Sequence, residues 1–354
     1  MKTPDPTTIW LVGGTLVILA IATAAGQILK RRYDTALNPA IVEQFHLRIR
    51  SWWIICSALA AAFILGQTAT VVLFGGISFF ALREFITATP TRRADHRALF
   101  WVFFFFTPFQ YVLVGFNMYD WYAVVIPVFG FLFIAGRIAI AGDYKRFLQR
   151  IAVIQAGLMI SVYCLSHAPA MLTQDLPVPE PNGRRAQDSK LDNERDLGEE
   201  LGADLVSPSE GDPRSPLTLE DKARLLFFFV LIIQLGDVAQ YLWGKLLGRR
   251  VIAPEVSGDR TWEGLFGGIC TSTVLGALLW WATPFRPWEA ASAAAIVTAI
   301  GFTGGMTMSA IKRDRGVRDY GTLVVGHGGV LDRIDSICFA APVFFYLSRF
   351  LMSG

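Results

Sequence analysis

Long apolar runs, separated by short polar segments, dominate the pattern of hydrophobic and polar positions along this chain. A helix needs about 20 predominantly apolar residues to cross a bilayer, and about ten runs approach that length. Their polar positions do not alternate with the period of two that marks the strands of a membrane β-barrel. The pattern therefore predicts an all-α fold, a polytopic integral membrane helix bundle of about ten transmembrane helices. We place the spans at residues 8–28, 52–69, 71–89, 98–115, 120–141, 151–171, 224–246, 262–283, 289–311 and 333–352.

Composition and the positions of the basic residues predict where the protein lies. Hydrophobic residues make up 53% of the chain and charged residues 17%, whereas soluble proteins average about 25% charged residues. Lys and Arg are concentrated in alternate loops, which is typical of loops on the cytoplasmic side of a membrane. We therefore expect an integral protein of the bacterial cytoplasmic (inner) membrane with its basic loops in the cytoplasm and, for an even number of spans, both termini outside. Because these cations are divided among many loops, we expect no nucleic-acid partner.

One long polar segment divides the chain into three regions. Residues 173–222 are rich in Pro, Gly, Ser, Asp and Glu, and their acidic side chains outnumber the basic ones by roughly two to one, which is typical of a disordered segment. We predict N-terminal membrane helices over residues 1–172, an acidic, disordered extramembrane insertion over 173–222 and a second membrane region over 223–354. On the predicted topology the insertion lies outside the cell.

The loop between the last two predicted spans combines residues that bind phosphate and metal ions. Lys312, Arg313 and Arg318 supply positive charge. A basic loop at the end of a membrane helix is also an ordinary topology signal, so the cations alone leave both interpretations open. That signal does not account for Asp332 and Asp335, which lie at the edge of an apolar helix, where charge is costly. Carboxylates of this kind are hard oxygen ligands for a divalent cation.

Two further features point to chemistry in the C-terminal part of the chain. His327 is followed by Gly328 and Gly329, and glycines let the backbone approach an anion closely. Asp237 lies deep within the predicted span 224–246, and an ionisable residue there suggests a functional site. A structural, hydrogen-bonded aspartate is the alternative for Asp237.

These residues give the chain a resemblance to the phosphatidate cytidylyltransferases, also called CDP-diacylglycerol synthases. Their C-terminal signature is matched in register by Ser309, Lys312, Arg313, Asp319, Gly321, His327, Gly328, Gly329, Asp332, Arg333 and Asp335. A second block, residues 236–268, is similar to the family at Asp237, Tyr241, Gly244, Lys245, Ser257, Thr261, Glu263 and Gly264. The resemblance is strong over about the C-terminal third of the chain, and the two blocks together make coincidence a poor explanation.

The resemblance implies transfer of a cytidylyl group from CTP to phosphatidic acid at the bilayer, with Mg²⁺ as cofactor, and it leaves a homodimer open. The implied catalytic residues are Lys312, Arg313, Asp319, His327, Asp332 and Arg333. The implied substrate-binding residues are Asp237, Tyr241, Lys245, Ser257, Arg260, Thr261, Arg318, Gly328 and Gly329. The implied metal ligands are Asp332, Asp335 and Ser309.

The chain departs from the family pattern at one position that matters for the metal. The family carries a metal-ligating aspartate where this chain has Gly305, and it favours lysine where this chain has Arg260 and Arg318. A catalytically weakened homologue with a lipid- or protein-binding role is therefore an alternative function. If the metal site is depleted, Gly305→Asp should lower the Mg²⁺ requirement; if another group completes the site, activity should stay level or fall. A polytopic transporter is a third possibility, but it predicts repeated halves, which the sequence does not show.

Overall fold

The structure, a computed structural model, describes residues 66–173, 217–317, 320–321 and 329–353. Within these ranges the chain forms eight long helices. Their bounds are α1 Gln67–Thr87, α2 Arg93–Gly115, α3 Tyr119–Ile140, α4 Phe147–Thr173, α5 Leu219–Leu247, α6 Trp262–Leu278, α7 Pro287–Arg315 and α8 Leu331–Ser353. Seven are long and apolar enough to cross a membrane, and α6 is shorter, with 17 residues.

The protein is thus a polytopic, helical, integral membrane protein, as the apolar pattern predicts. Each of the eight predicted spans from 71–89 onward coincides with one of these helices. The predicted span 8–28 and residues 52–65 of the next span lie outside the described residues. The total of about ten spans therefore stays a prediction.

Some predicted boundaries are wrong, for local reasons. Residues 67–69, which we expected to end the second span, belong to α1. This helix begins directly after Gly66, whose φ of 94° is not helical. Residues 219–222, expected in the acidic insertion, form the first turn of α5. Thr218 begins this helix: its hydroxyl accepts a hydrogen bond from the backbone N–H of Asp221 at 3.2 Å, and the Asp221 carboxylate accepts one from the Thr218 N–H at 3.1 Å.

The all-α prediction also missed a small antiparallel hairpin between α5 and α6. Strand β1, Val251–Ala253, pairs with strand β2, Ser257–Thr261. The Thr261 hydroxyl accepts a hydrogen bond from the Gly264 N–H at 3.1 Å and so caps the N-terminus of α6. The hairpin is therefore joined to α6 without a flexible linker, and residues of β2 have fixed positions beside the helix ends.

Small residues allow α5, α6 and α7 to approach one another closely. A Cβ on Gly268 of α6 would lie 3.2 Å from the Cα of Gln240 of α5. About two turns farther along α6, a Cβ on Gly276 would lie 2.7 Å from the carbonyl oxygen of Ala290 of α7. Helix pairs within membranes commonly use such small residues to gain packing contacts. Helix α8 packs against α7 and also against α1 and α4, so it joins the N-terminal helices to the C-terminal ones.

Contacts bring several of the predicted basic segments close to one another. Glu84, near the C-terminal end of α1, accepts from the N–H of Leu331 at the start of α8, and Arg313 at the end of α7 donates to Val256 of the hairpin. Loop 88–92 is tied to loop 141–146 by a salt bridge of 3.1 Å between Arg92 and Asp143. The hydrogen bond from Arg92 also holds the pKa of the Asp143 carboxyl below its usual range. Arg150 of α4 lies buried between these loops, where its Nε donates to Asp95 at 2.8 Å and its Nη1 donates to the Asp143 carbonyl at 2.6 Å. The compartment that these segments face stays a prediction.

Candidate functional site

A polar cavity of about 470 Å³ lies among α5, α6, α7, α8 and the hairpin. Ten residues proposed from the sequence line it: Asp237, Tyr241, Ser257, Arg260, Thr261, Ser309, Lys312, Asp332, Arg333 and Asp335. They come from both sequence blocks, which the helix packing brings together. Lys312, near the C-terminal end of α7, and the two aspartates, in the first turns of α8, approach each other across one wall.

The structure places two other proposed residues at the hairpin instead of the cavity. Lys245 forms a salt bridge of 3.2 Å with Asp259, and both side chains are largely exposed. Arg313 donates from Nε to the carbonyl oxygen of Val256 at 3.3 Å. In this arrangement both cations attach the hairpin to the ends of α5 and α7. The sequence could not distinguish these contacts from phosphate binding, because both require a cation at the end of a helix.

Several proposed residues cannot be placed relative to the cavity. Arg318, Asp319, His327 and Gly328 lie outside the described residues. Their catalytic and substrate-binding roles therefore stay predictions. Gly329 is described, and it lies against the Glu84 side chain of α1.

Asp332 organises the segment that leads into α8. Its Oδ1 accepts a hydrogen bond from the Lys312 ammonium at 2.9 Å. Its Oδ2 accepts hydrogen bonds from the backbone N–H groups of Tyr320 and Gly329, each at 3.0 Å. A carboxylate offers about four acceptor positions, and donors from the described residues occupy three of them. Burial, together with the negative charges of Asp332 and Asp335, raises the pKa of the Tyr320 phenol, which donates to the Met308 carbonyl at 3.1 Å.

The aspartates and Ser309 fit a magnesium ion that is bound together with a nucleotide. Asp335 follows Asp332 by about one helical turn, so both lie on one face of α8 and line the cavity. The Ser309 hydroxyl donates to the Gly305 carbonyl at 2.7 Å, which leaves its oxygen free to accept. Among the described residues, no group of three or more His, Cys, Asp or Glu side chains could hold a metal alone. Mg²⁺ commonly binds one or two carboxylates plus substrate phosphates and water, which this arrangement allows.

Arg260 projects from β2 toward the middle of α7. Its Nη1 donates to the carbonyl oxygen of Phe302 at 3.1 Å, and its guanidinium lies 5.1 Å from the centre of the Phe302 ring. The same guanidinium rests against Gly305. It therefore places a fixed positive charge within the cavity, close enough to interact electrostatically with Asp335.

Polar side chains of α5 continue the cavity toward the membrane interior. Gln234 and Gln240 line it together with Asp237. The Gln240 amide donates to the Thr298 carbonyl at 3.5 Å, and the buried Nε2 of Gln234 has no hydrogen-bond partner within the described part of the chain. We did not propose either glutamine as a site residue. Their position within a predicted span was the available signal, because amides are uncommon in apolar helices.

Glu84 of α1 is a third residue that was not predicted from the sequence. Its side chain is buried, with a relative exposure of 3%, and its Oε2 accepts a hydrogen bond from the backbone N–H of Leu331 at 2.8 Å. A Cβ on Gly329 would lie 2.6 Å from Cδ of Glu84. The anion that closely approaches Gly329 in this structure is thus the protein's own carboxylate. An acidic residue within the predicted span 71–89 was the signal that could have identified it.

Comparisons with known proteins agree with the two-block signature. A model of the cytidylyltransferase family matches residues 46–351. The chain is 36% identical over 308 residues to the uncharacterized protein YnbB of Escherichia coli (strain K12), covering 86% of this chain and 87% of YnbB. It is 36% identical over 136 residues to the phosphatidate cytidylyltransferase of Haemophilus influenzae, covering 36% of this chain and 46% of that enzyme. It is 37% identical over 119 residues to the phosphatidate cytidylyltransferase of Synechocystis, covering 33% of this chain and 40% of that enzyme. The similarity to these two named enzymes thus spans less than half of their length.

Proposed function

Because the chain belongs to the cytidylyltransferase family, we propose that it is a CTP:phosphatidate cytidylyltransferase. In this reaction CTP and phosphatidic acid give CDP-diacylglycerol and pyrophosphate. The proposed partners are CTP, phosphatidic acid and the surrounding bilayer. The protein would act in the bacterial cytoplasmic membrane, with the cavity reached from the cytoplasm, where CTP is found.

The observation that carries this proposal is the meeting of two distant sequence blocks in one polar cavity. Arg260 comes from the hairpin, Lys312 from α7 and Arg333 from α8, and all three line the cavity. Three cations from three elements suit a ligand with several phosphate groups. The same cavity is lined by Asp332 and Asp335, which would hold a divalent cation whose charge would offset that of the phosphates.

The chemistry requires two anions to react with each other. A phosphate oxygen of phosphatidic acid attacks the α-phosphorus of CTP, a new phosphorus–oxygen bond forms, and the bond to the β-phosphate oxygen breaks. Pyrophosphate leaves with that electron pair. Catalysis therefore depends on alignment of the two substrates and on neutralisation of their charge. Lys312 is already oriented by its 2.9 Å contact with Asp332, so little side-chain entropy is lost when it meets a phosphate.

Asp332, Asp335 and Ser309 are the residues that would hold Mg²⁺. When bound, Mg²⁺ would offset phosphate charge and polarise the reacting phosphoryl group. Arg260 contributes positive charge of its own beside Asp335. Thr261 lines the cavity while its hydroxyl caps α6, so it shapes the wall at the N-terminus of that helix, where an anion is favoured.

The test is an assay of the purified protein in lipid vesicles that contain phosphatidic acid. With α-labelled CTP and Mg²⁺, label should enter CDP-diacylglycerol, and pyrophosphate should form in equal amount. Asp335→Asn should abolish both products. Asp314→Asn is a matched control, since the Asp314 side chain is largely exposed and does not line the cavity; it should keep near-normal activity.

A catalytically weakened homologue is the second candidate, and it rests on the guanidinium of Arg260 against Gly305. In that case the protein would bind CTP or anionic lipid without turnover. Binding of CTP in the absence of any labelled lipid product, over a panel of phospholipid acids, would favour this second function.

A further inference from the structure

The buried carboxylate of Glu84 lies against the segment that joins α7 to α8. Burying a carboxylate is costly unless hydrogen bonds compensate it. Oε2 receives the Leu331 N–H at 2.8 Å, whereas Oε1 is buried and has no hydrogen-bond partner among the described residues. The contacts of this carboxylate with neighbouring residues indicate its role.

Two glycines make room for this carboxylate. A Cβ on Gly321 would lie 2.7 Å from Oε1 of Glu84, and a Cβ on Gly329 would lie 2.6 Å from its Cδ. Any side chain at either position would collide with the carboxylate. Between α7 and α8, residues 320–321 and 329–330 are described and residues 322–328 are not. Glu84 therefore contacts the segment both before and after the part that is not described.

Asp332 holds neighbouring residues of the same segment. Its Oδ2 accepts the N–H groups of Tyr320 and Gly329, next to the contacts that Glu84 makes with Gly321 and Leu331. The two carboxylates differ in surroundings: Asp332 lines the polar cavity, and Glu84 does not. The Glu84 carboxylate also lies beside Leu331, the first residue of α8, where the positive end of the helix dipole favours a negative charge.

We propose that Glu84 is a positioning residue of the nucleotide site: it fixes both described ends of the segment between α7 and α8 and thereby aims Asp332 into the cavity. Its effect on catalysis rests on the proposed function, whereas its effect on the segment does not. The inference also gives the N-terminal helices a part in the site, because Glu84 belongs to α1.

Hydrogen–deuterium exchange of the purified protein, without nucleotide or Mg²⁺, tests the effect on the segment. In Glu84→Ala, peptides that contain residues 320–321 and 329–331 should exchange at least about tenfold faster, since the hydrogen bond from Leu331 to a charged group and the contacts with Gly321 and Gly329 are lost. Glu84→Gln should restore much of the protection, because its amide oxygen can still accept from Leu331. Ser78→Ala is the matched control: it removes a buried hydrogen bond to Tyr111 from the same helix, and it should leave those peptides unchanged.

Unchanged exchange in these peptides, or an equal rise in every peptide, would overturn the proposal. If Glu84→Ala does not fold, Gly321→Ala provides the second test, because its added methyl would push the carboxylate away from Leu331. The same local rise in exchange is then expected, and its absence would count against the proposal in the same way.

Kinetics test the effect on catalysis. Glu84→Ala should raise the half-saturating Mg²⁺ concentration about tenfold, leave the KM for phosphatidic acid unchanged, and be largely rescued by Glu84→Gln. A lower kcat with unchanged Mg²⁺ dependence would mean that Glu84 is only structural. Absence of turnover in the wild-type protein would reject the proposed function, but the exchange experiment would still decide the role of Glu84 in the segment.

Discussion

The guanidinium of Arg260 fills the space that a side chain at residue 305 would need. A Cβ on Gly305 would lie 2.8 Å from Cζ and 2.9 Å from Nη1 of Arg260. The phosphatidate cytidylyltransferases, by the resemblance described above, carry aspartate and lysine at these two positions. In this chain the longer arginine therefore occupies the volume next to a residue that has no side chain. A permanently charged guanidinium thus lies at the position where that family carries a metal-ligating carboxylate.

This relationship changes the expected effect of Gly305→Asp. The new side chain would displace Arg260 from Phe302 and then pair with it, so it would not be free to bind a metal. We expect CTP turnover to fall about tenfold or more, because the displaced and paired Arg260 would no longer direct its charge at the phosphates, and the half-saturating Mg²⁺ concentration not to fall. A Mg²⁺ titration of turnover measures both quantities.

The double variant Gly305→Asp with Arg260→Lys is the control for this prediction. The lysine leaves more space and cannot form a two-pronged pair with the carboxylate. This double variant should need less Mg²⁺ than Arg260→Lys alone. A lower Mg²⁺ requirement in the single Gly305→Asp variant would show that Arg260 does not control this position.

Asp332 and Asp335 should differ when each is replaced by alanine. Asp335→Ala should lower turnover by orders of magnitude with little change in thermal stability. Asp332→Ala should lower turnover and also stability, by about 1.5–3 kcal/mol, because it leaves Lys312 and two backbone N–H groups without their acceptor. Turnover and the thermal unfolding midpoint, measured in the same detergent, separate the two effects. Equal midpoints for the two variants would contradict the structural role of Asp332.

The buried ion pair between Arg150 and Asp95 should contribute to stability and not to catalysis. Arg150→Ala leaves Asp95 buried without its cation, and such changes cost about 3–5 kcal/mol. Arg92→Ala removes a partly exposed partner of Asp143 and should cost no more than about 1 kcal/mol. Thermal unfolding compares the two variants. Similar midpoints would mean that burial of the pair has little effect on stability.

The proposed orientation can be tested in sealed cells. Residues 173–222 should be cut by a protease added outside, because the predicted topology places them there. A tag inserted beside Gly258, in the hairpin, should be protected until the membrane is permeabilised. Access to both sites from the same side would reverse or reject the topology.

The sequence predicted the spans because each apolar run is long enough to specify a helix without knowledge of its neighbours. It also predicted that Asp237, Ser309, Lys312 and Asp332 share a site, since the two-block resemblance carries three-dimensional information. At these positions the residue type and the neighbouring sequence are sufficient for the prediction.

Features that depend on partners from other elements could not be predicted in this way. The Glu84 contact with Leu331 joins α1 to α8 across much of the chain. Similarly, the sequence records that residue 305 is glycine, but only packing shows that Arg260 lies against it. Cations at helix ends, such as Lys245 and Arg313, have the same sequence pattern whether they contact phosphate or the hairpin.

The short helix α6 has a consequence for the surrounding lipid. Its 17 residues span about 25 Å at 1.5 Å per residue, whereas the hydrocarbon layer is about 30 Å thick. Exposed Trp262 and Trp280 lie near its two ends, and tryptophans prefer the headgroup level. If α6 crosses the bilayer, this hydrophobic mismatch would thin the leaflets beside it. Lipid headgroups would then lie deeper there, next to Thr261 and Leu265 at the cavity wall, and a lipid phosphate could approach that wall while its acyl chains stay in the bilayer.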